Sequence, residues 1–331
     1  MSAPIDVLAF RNAAFHPEQP LVLRVNRPGQ EDTVRIARSD HSVFPVSLPA
    51  ISSWFETAEK VDGADLAWTS LGSRLSSHLD VELPFELILS RDTSHIYGTS
   101  ENPVSFIGWL SRSDEVVLAR GVAAQLESFI DVVAKDRTSE TYLFRFEAPL
   151  RLLTAGLRYN TSVGASQRVG QLYIAQAPLN DLPTSMQRDV PVPELVQQAG
   201  RGDVYNSSIW LGLEPTYTPW HRDPNPNLFC QLHSSKVVRL LPPAPGHDIF
   251  QQVKAGLVRS GSSRIRGAEM MQGPERRAFM DAIWGDSAPD SILEVVVEAG
   301  DALFIPKGWW HSIRSRSAAG ALNASANWWF R

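Results

Sequence analysis

The strongest constraint on the fold of this chain is a series of short β-type runs that begins after residue 140. Each run is rich in branched and aromatic residues and is bounded by turn residues, as strands are. The predicted strands are Thr141–Phe146, Leu172–Gln176, Ser207–Leu211, Leu228–Leu232, Val237–Leu241, Ile292–Val297, Ala302–Ile305, Ser312–Arg316 and Ala324–Phe330. Many short strands at this spacing predict a β-barrel or sandwich. A helical insertion at residues 250–290, with a helix over Pro274–Trp284, interrupts the strands.

The chain before residue 141 has a mixed, mainly helical pattern. Helices are predicted at Ile5–Phe15, Ser52–Glu59 and Asp114–Lys135, and strands at Pro20–Arg24, Thr33–Ala37 and Leu83–Leu89. The last helix is the clearest, because its apolar residues recur at helical spacing and its first turn is acidic, as the helix dipole favours. We therefore predict an N-terminal region over residues 1–140 that packs on a β-barrel over residues 141–331, in an α+β fold that is mainly β.

Composition excludes several classes of protein. With 43% hydrophobic and 20% charged residues, the chain has enough apolar material for a core and is not disordered. A net charge of −5 argues against a surface that is devoted to nucleic acid. No run approaches the roughly 18 apolar residues of a membrane span, and the N-terminus lacks the basic start of a secretory signal. We expect an intracellular protein, cytoplasmic or nuclear.

The single cysteine and several aromatic and basic residues have structural interpretations. Cys230 alone excludes an internal disulfide framework and a cysteine-based zinc finger, and it is expected to be buried. Trp309, Trp310, Trp328 and Trp329 are expected to pack in the core or at the barrel rim. His233 is expected to be solvated in a hairpin turn, and Arg239 to point outward from its strand.

One short motif carries metal chemistry. His221 and Asp223 are two residues apart, so on an extended segment both side chains project from one face. An imidazole and a carboxylate on one face are two ligands of a 2-His-1-carboxylate triad, which leaves adjacent metal positions open. His311, after a strand and a Pro-Lys-Gly turn, is the candidate third ligand. The alternative is that these are two ordinary histidines and a turn-capping aspartate.

The segments Thr218–Pro243, Gly300–His311 and Ser325–Phe330 resemble the Jumonji-C family of cupin-like, Fe(II)- and 2-oxoglutarate-dependent oxygenases. Within that family, the chain is most similar to the small hydroxylase branch. The resemblance implies a double-stranded β-helix core, also called a cupin or jelly-roll fold, with a helical N-terminal part and a helical insertion. Residues 91–165 match nothing in the family, and their role stays open.

The resemblance also implies a set of site residues. His221, Asp223 and His311 would bind Fe(II), and no catalytic residue is expected beyond these ligands. The residues expected to bind the co-substrate 2-oxoglutarate are Lys236, Thr218, Asn227, Tyr173 and Asn327. Lys236 would hold the distal carboxylate, because an ammonium group donates strong charge-assisted hydrogen bonds to a carboxylate. Each residue also has a structural alternative. Lys236 would be a surface lysine, and Thr218 and Asn227 would be turn or loop-capping residues. Tyr173 would pack in the core, and Asn327 would be a hydrogen-bonded strand amide.

The implied function is that of a dioxygenase that uses O₂ to hydroxylate a side chain of a protein or peptide substrate, with release of succinate and CO₂. A lysine demethylase is disfavoured, because one cysteine leaves no accessory zinc module. A hydroxylase of tRNA or of a small molecule has only the basic insertion at residues 254–277 in its favour, so a nucleic-acid partner is not favoured. A non-catalytic cupin-fold metal-binding protein is a further alternative. The last predicted strand ends beside Arg331, which favours a monomer.

Overall fold

The computed structural model describes residues 6–25, 46–57, 69–90, 103–112, 116–135, 141–257 and 273–331. The predicted strand Thr33–Ala37 and most of the basic insertion lie outside the described residues. In the part of the chain that is described, no helix has both the length and the apolar character needed to cross a bilayer.

The core consists of two antiparallel β-sheets that face each other. The strands are β1 Leu21–Leu23, β2 Phe55–Thr57, β3 Thr69–Leu71, β4 Glu82–Ser90, β5 Thr141–Pro149, β6 Leu172–Pro178, β7 Val204–Leu213, β8 Tyr217–Arg222, β9 Asn227–His233, β10 Ser235–Leu241, β11 Leu293–Glu298, β12 Ala302–Ile305, β13 Trp310–Ser315 and β14 Leu322–Phe330. The larger sheet has eight strands in the order β1-β12-β9-β14-β7-β6-β4-β5, and the smaller has four in the order β11-β10-β13-β8. Phe229 of the larger sheet packs with Val238 and Val297 of the smaller one, so apolar side chains fill part of the space between them.

Helices cover the outer faces of the two sheets. The α-helices are α1 Val7–Phe10, α2 Pro49–Ser53, α3 Ser73–Ser76, α4 Pro103–Leu110, α5 Val116–Lys135, α6 Arg151–Ser162, α7 Thr184–Asp189, α8 Glu194–Ala199, α9 Pro243–Ala255 and α10 Gly273–Trp284. Phe250 of α9 and Phe279 of α10 pack against Trp310 and other residues of the smaller sheet. The predicted helical insertion is therefore confirmed in the described residues, as two helices on the outer face of that sheet.

The predicted α+β fold with a jelly-roll core is confirmed. The region before residue 141 also supplies strands to the larger sheet, since β1 pairs with β12 and β4 lies between β5 and β6. Cys230 and the four tryptophans Trp309, Trp310, Trp328 and Trp329 are buried, as predicted.

The predicted helix Ser52–Glu59 is wrong. The helix begins earlier, at Pro49, and ends at Ser53, after which the chain pairs as β2 with β3. Trp54 is 1% exposed and its indole N–H donates to the Asp189 carboxylate at 3.0 Å. This tertiary contact and the buried Phe55 turn the chain out of the helix.

One interpretation of a single residue is also wrong. His233 is half-buried and stacks on Phe55, with ring centroids 4.5 Å apart, and burial lowers its pKa to about 4. Arg239 points outward from β10, as predicted, and on that face its Nε donates to Glu294 at 2.7 Å and its guanidinium lies 4.7 Å from the ring centre of Trp284. The error at His233 arises because β2 packs over this hairpin, a long-range contact that strand periodicity alone does not reveal.

The N-terminal segment is held to the barrel by aromatic packing around Phe304, which is 1% exposed. Its ring centre lies 5.0 Å from that of Phe10 and 6.1 Å from that of Phe15. We expect Phe304→Ala to lower the free energy of unfolding by about 3–5 kcal/mol, the usual cost of emptying a buried phenylalanine site. Urea denaturation measures the effect. Val132→Ala is the control, since Val132 is 61% exposed; a similar loss in both variants would contradict this packing.

Candidate metal centre

The pairing of β8 with β13 brings the two predicted histidine ligands together. His221 and His311 are direct partners in the antiparallel register, and their ring centres lie 4.2 Å apart. Asp223 follows β8 immediately, and its Oδ1 and Oδ2 lie 3.9 Å from His221 Nε2 and 3.7 Å from His311 Nε2. One ligand atom from each of the three residues lies within 4.8 Å of the others. The structure therefore groups the three side chains as a facial triad requires.

Backbone carbonyls fix the tautomers of both histidines. His221 Nδ1 lies 2.8 Å from the Pro219 carbonyl, and His311 Nδ1 lies 3.1 Å from the Trp309 carbonyl. A carbonyl oxygen only accepts, so each Nδ1 carries the proton and each Nε2 presents its lone pair toward Asp223. Burial, together with the neighbouring His221, lowers the pKa of His311 to about 4, so His311 is neutral at pH 7. A neutral imidazole is the form that binds a metal.

Three contacts hold Asp223 in place. Its Oδ2 accepts hydrogen bonds from the Trp329 indole N–H at 2.7 Å and from Asn227 Nδ2 at 3.1 Å. Its backbone carbonyl accepts from the Gly308 N–H at 2.9 Å. Gly308 has a φ of +76°, which glycine adopts without the steric cost of a side chain, so the turn before β13 is fixed to the end of β8.

A second polar cluster lies inside the barrel around Lys236. This lysine is 3% exposed, and its ammonium group donates to the Tyr173 hydroxyl at 3.1 Å and to the Ser325 hydroxyl at 2.8 Å. Tyr173 is on β6, Ser325 on β14 and Lys236 on β10, so both sheets contribute. A buried ammonium flanked by two hydroxyls is a group of donors suited to a carboxylate.

The other predicted co-substrate residues lie nearer to the metal ligands. Asn227 contacts Asp223, and Asn327 donates to Asn227 Oδ1 at 2.9 Å, so the two amides form a chain that ends on the carboxylate. Thr218 is half-buried on β8 and lines the same cleft as His221. The structure thus brings Lys236 and Tyr173 together at one position, and Asn227 and Asn327 at another.

An open cleft leads to His221 and Asp223, two of the three metal-binding candidates. Its volume is about 200 Å³, and its wall includes Tyr205, Trp210 and Asn225 in addition to His221 and Asp223. Tyr205 is 60% exposed, whereas Trp210 is 9% exposed and lies deeper. The arrangement gives a molecule from solvent access to one side of the triad.

Sequence reasoning missed Ser325 and took Trp329 for packing alone. Both share one face of β14 with Asn327, because side chains on a strand alternate with a period of two. That alternation is the available signal in the sequence, since Asn327 is itself a predicted site residue. Trp329 is indeed buried, but its indole N–H also holds a candidate metal ligand.

The chain is similar to a known domain family and to several known proteins. A family model described as a cupin-like domain matches residues 116–331. "Lysine-specific demethylase JMJ30" of Arabidopsis thaliana is 27% identical over 158 residues, which are 48% of this chain and 33% of that protein. "Jumonji C domain-containing protein 5" of Drosophila melanogaster is 25% identical over 159 residues, 47% of this chain and 36% of that protein. "Lysine-specific demethylase 8" of Danio rerio is 25% identical over 182 residues, 54% of this chain and 41% of that protein. The chain spans less than half the length of these relatives.

The indole N–H of Trp329 provides a test of the metal centre. We expect Trp329→Phe to weaken Fe(II) binding about 10- to 100-fold, the usual effect of removing a group that orients a ligand. Anaerobic titration calorimetry measures the affinity. Trp328→Phe is the matched control, because the neighbouring indole N–H is buried and donates no hydrogen bond within the described structure. Equal affinities in the two variants would contradict the orienting role of Trp329.

Proposed function

The chain belongs to the cupin-like domain family of Jumonji-C proteins, and from this membership we propose that it is an Fe(II)- and 2-oxoglutarate-dependent oxygenase that hydroxylates a side chain of a protein substrate. The observation that carries the proposal is the pairing of the His221, Asp223 and His311 triad with a buried lysine, Lys236, inside the same barrel. A site with only a structural metal has no need for a buried cation beside it.

The donor set fits Fe(II). His221, Asp223 and His311 would hold the ion through two imidazole nitrogens and one carboxylate oxygen, a combination that suits non-heme iron. With 2-oxoglutarate and O₂ bound, the iron supplies the oxidising power for hydroxylation of a C–H bond, with release of succinate and CO₂. The hydrogen bonds from Trp329 and Asn227 hold Asp223 in one orientation and would present its carboxylate to the ion together with the two imidazoles.

The Lys236 cluster fits the distal carboxylate of 2-oxoglutarate. In this proposal, the Lys236 ammonium and the Tyr173 and Ser325 hydroxyls donate to that carboxylate. Thr218 lines the cleft at the metal and would bind the co-substrate from there. Asn227 and Asn327 would act from the side of the metal, through the carboxylate of Asp223. Burial of these donors strengthens their attraction for a carboxylate, because water does not screen it.

Lysine demethylation is the second candidate, favoured by the names of two relatives, "Lysine-specific demethylase JMJ30" and "Lysine-specific demethylase 8". The same oxidation applied to an N-methyl group gives an unstable N-hydroxymethyl group, which releases formaldehyde and leaves the amine. The two candidates differ in product, since hydroxylation of a side-chain carbon leaves one added oxygen on the substrate. Mass spectrometry of modified peptides with a parallel formaldehyde assay distinguishes them.

Replacement of Lys236 tests the proposed co-substrate site. We expect Lys236→Met to raise the KM for 2-oxoglutarate by about 10- to 100-fold, as the loss of a hydrogen bond to a charged group does, while Fe(II) affinity stays near that of the wild type. Succinate formation at varied 2-oxoglutarate measures the effect. Lys135→Met, at the exposed end of α5, is the control. An unchanged KM in Lys236→Met would contradict the assignment of Lys236.

A further inference from the structure

The inner face of the larger sheet continues beyond the metal cleft and carries a row of polar side chains. Glu86 on β4 is the direct partner of both Tyr173 on β6 and Arg145 on β5. Residues that are direct partners on adjacent strands point to the same face of a sheet. The row that begins at Tyr173, beside Lys236, therefore extends through Glu86 to Arg145 at the edge of the sheet.

Strands β4, β5 and β6 form a hollow of about 490 Å³ along this row. Its lining includes Pro84, Glu86, Arg145, Glu147 and Gln176. Gln176 also lines the cleft at the metal-binding candidates, so one exposed side chain belongs to both depressions. The two depressions therefore adjoin at Gln176.

The charges in the hollow do not balance. Arg145 Nε donates to Glu86 Oε1 at 3.0 Å, so one cation and one anion are paired. Glu147 is exposed and forms no ion pair with any residue that the structure describes. Among the lining residues that the structure describes, two carboxylates and one guanidinium give one excess negative charge, which favours a cationic group over an anionic one.

The spacing of the strands sets the scale of a ligand. From Gln176 on β6 to Glu147 on β5, the path crosses β4 and so spans two strand separations, or about 10 Å. An extended peptide covers about 3.3–3.6 Å per residue. If one side chain of a bound peptide lies against Gln176, the side chain about three residues further along the peptide would reach Glu147.

We propose that this hollow is a second subsite, which selects polypeptide substrates that carry a lysine or arginine side chain a few residues from the oxidised position. The inference rests on the proposed oxygenase function and adds a substrate preference to it. Glu147 supplies the carboxylate that carries the excess negative charge, because the Arg145–Glu86 pair is neutral overall. An acidic segment or an RNA phosphate would be repelled by Glu147.

The experiment uses a degenerate pool of biotinylated dodecapeptides that contains all amino acids. The full-length protein, loaded with Fe(II) and 2-oxoglutarate under anaerobic conditions at low ionic strength, is mixed with the pool, and bound peptides are sequenced by mass spectrometry. We expect the ratio of basic to acidic residues in bound peptides to fall up to about five-fold in Glu147→Gln, the range for an exposed ion pair. Charge reversal in Glu147→Lys is expected to lower it further, and Arg145→Gln to raise it.

Glu194→Gln is the matched control, because Glu194 is exposed on α8 and contacts only Gln198 of its own helix among the described residues. This variant should select the same peptides as the wild type. A ratio that is not elevated in the wild type, or that stays the same in Glu147→Lys and Arg145→Gln, would overturn the subsite. Failure of Fe(II) and 2-oxoglutarate to bind, with the charge-dependent selection intact, would instead overturn the oxygenase proposal alone.

Discussion

The site depends on the antiparallel register between β8 and β13. With His221 opposite His311, both imidazoles project from the same face of the smaller sheet, toward the interior of the barrel. A slip of one residue would turn one histidine to the opposite face, since side chains on a strand alternate. One hydrogen bond fixes this register where β8 ends and β13 begins. The Gly308 N–H donates to the Asp223 carbonyl and so joins the turn before β13 to the residue that follows β8. The two histidines are thus positioned by strand pairing, and Asp223, just after β8, is positioned by hydrogen bonds from Gly308, Trp329 and Asn227.

The last strand connects the candidate metal centre to the proposed co-substrate site. On one face of β14, Trp329 donates to Asp223, Asn327 donates to Asn227, and Ser325 accepts from Lys236. Because successive side chains on this face are about 6–7 Å apart along the strand, one rigid element spans the length of a small dicarboxylate. A strand that is hydrogen-bonded on both sides, to β7 and β9, keeps this spacing constant. We infer that co-substrate geometry depends on this strand as much as on the metal ligands.

Most of the strands and the triad could be predicted from the sequence, because each depends on local alternation and on residue type. The strand β8 was harder to recognise, since Pro219 interrupts its pattern; the structure shows that β8 is an edge strand, where proline is tolerated. The helix predicted at Ser52–Glu59 failed because a contact with Asp189, far along the chain, removes Trp54 from the helix. Ser325 could not be predicted as a site residue, because a serine within an apolar strand does not by itself indicate a binding role. Only the fold brings it within hydrogen-bonding distance of Lys236. Long-range contacts of this kind are absent from local patterns.

In the proposed function, one barrel binds Fe(II) and 2-oxoglutarate together. Anaerobic titration of the purified protein with both, followed by visible absorption, tests it most directly, because the chelate of 2-oxoglutarate with protein-bound iron has a weak charge-transfer band. We expect the band in the wild type and its loss in His221→Ala, where one of the two imidazole ligands is missing. Absence of the band in wild-type protein that is saturated with Fe(II) would contradict the account and favour a cupin-fold protein that only binds metal.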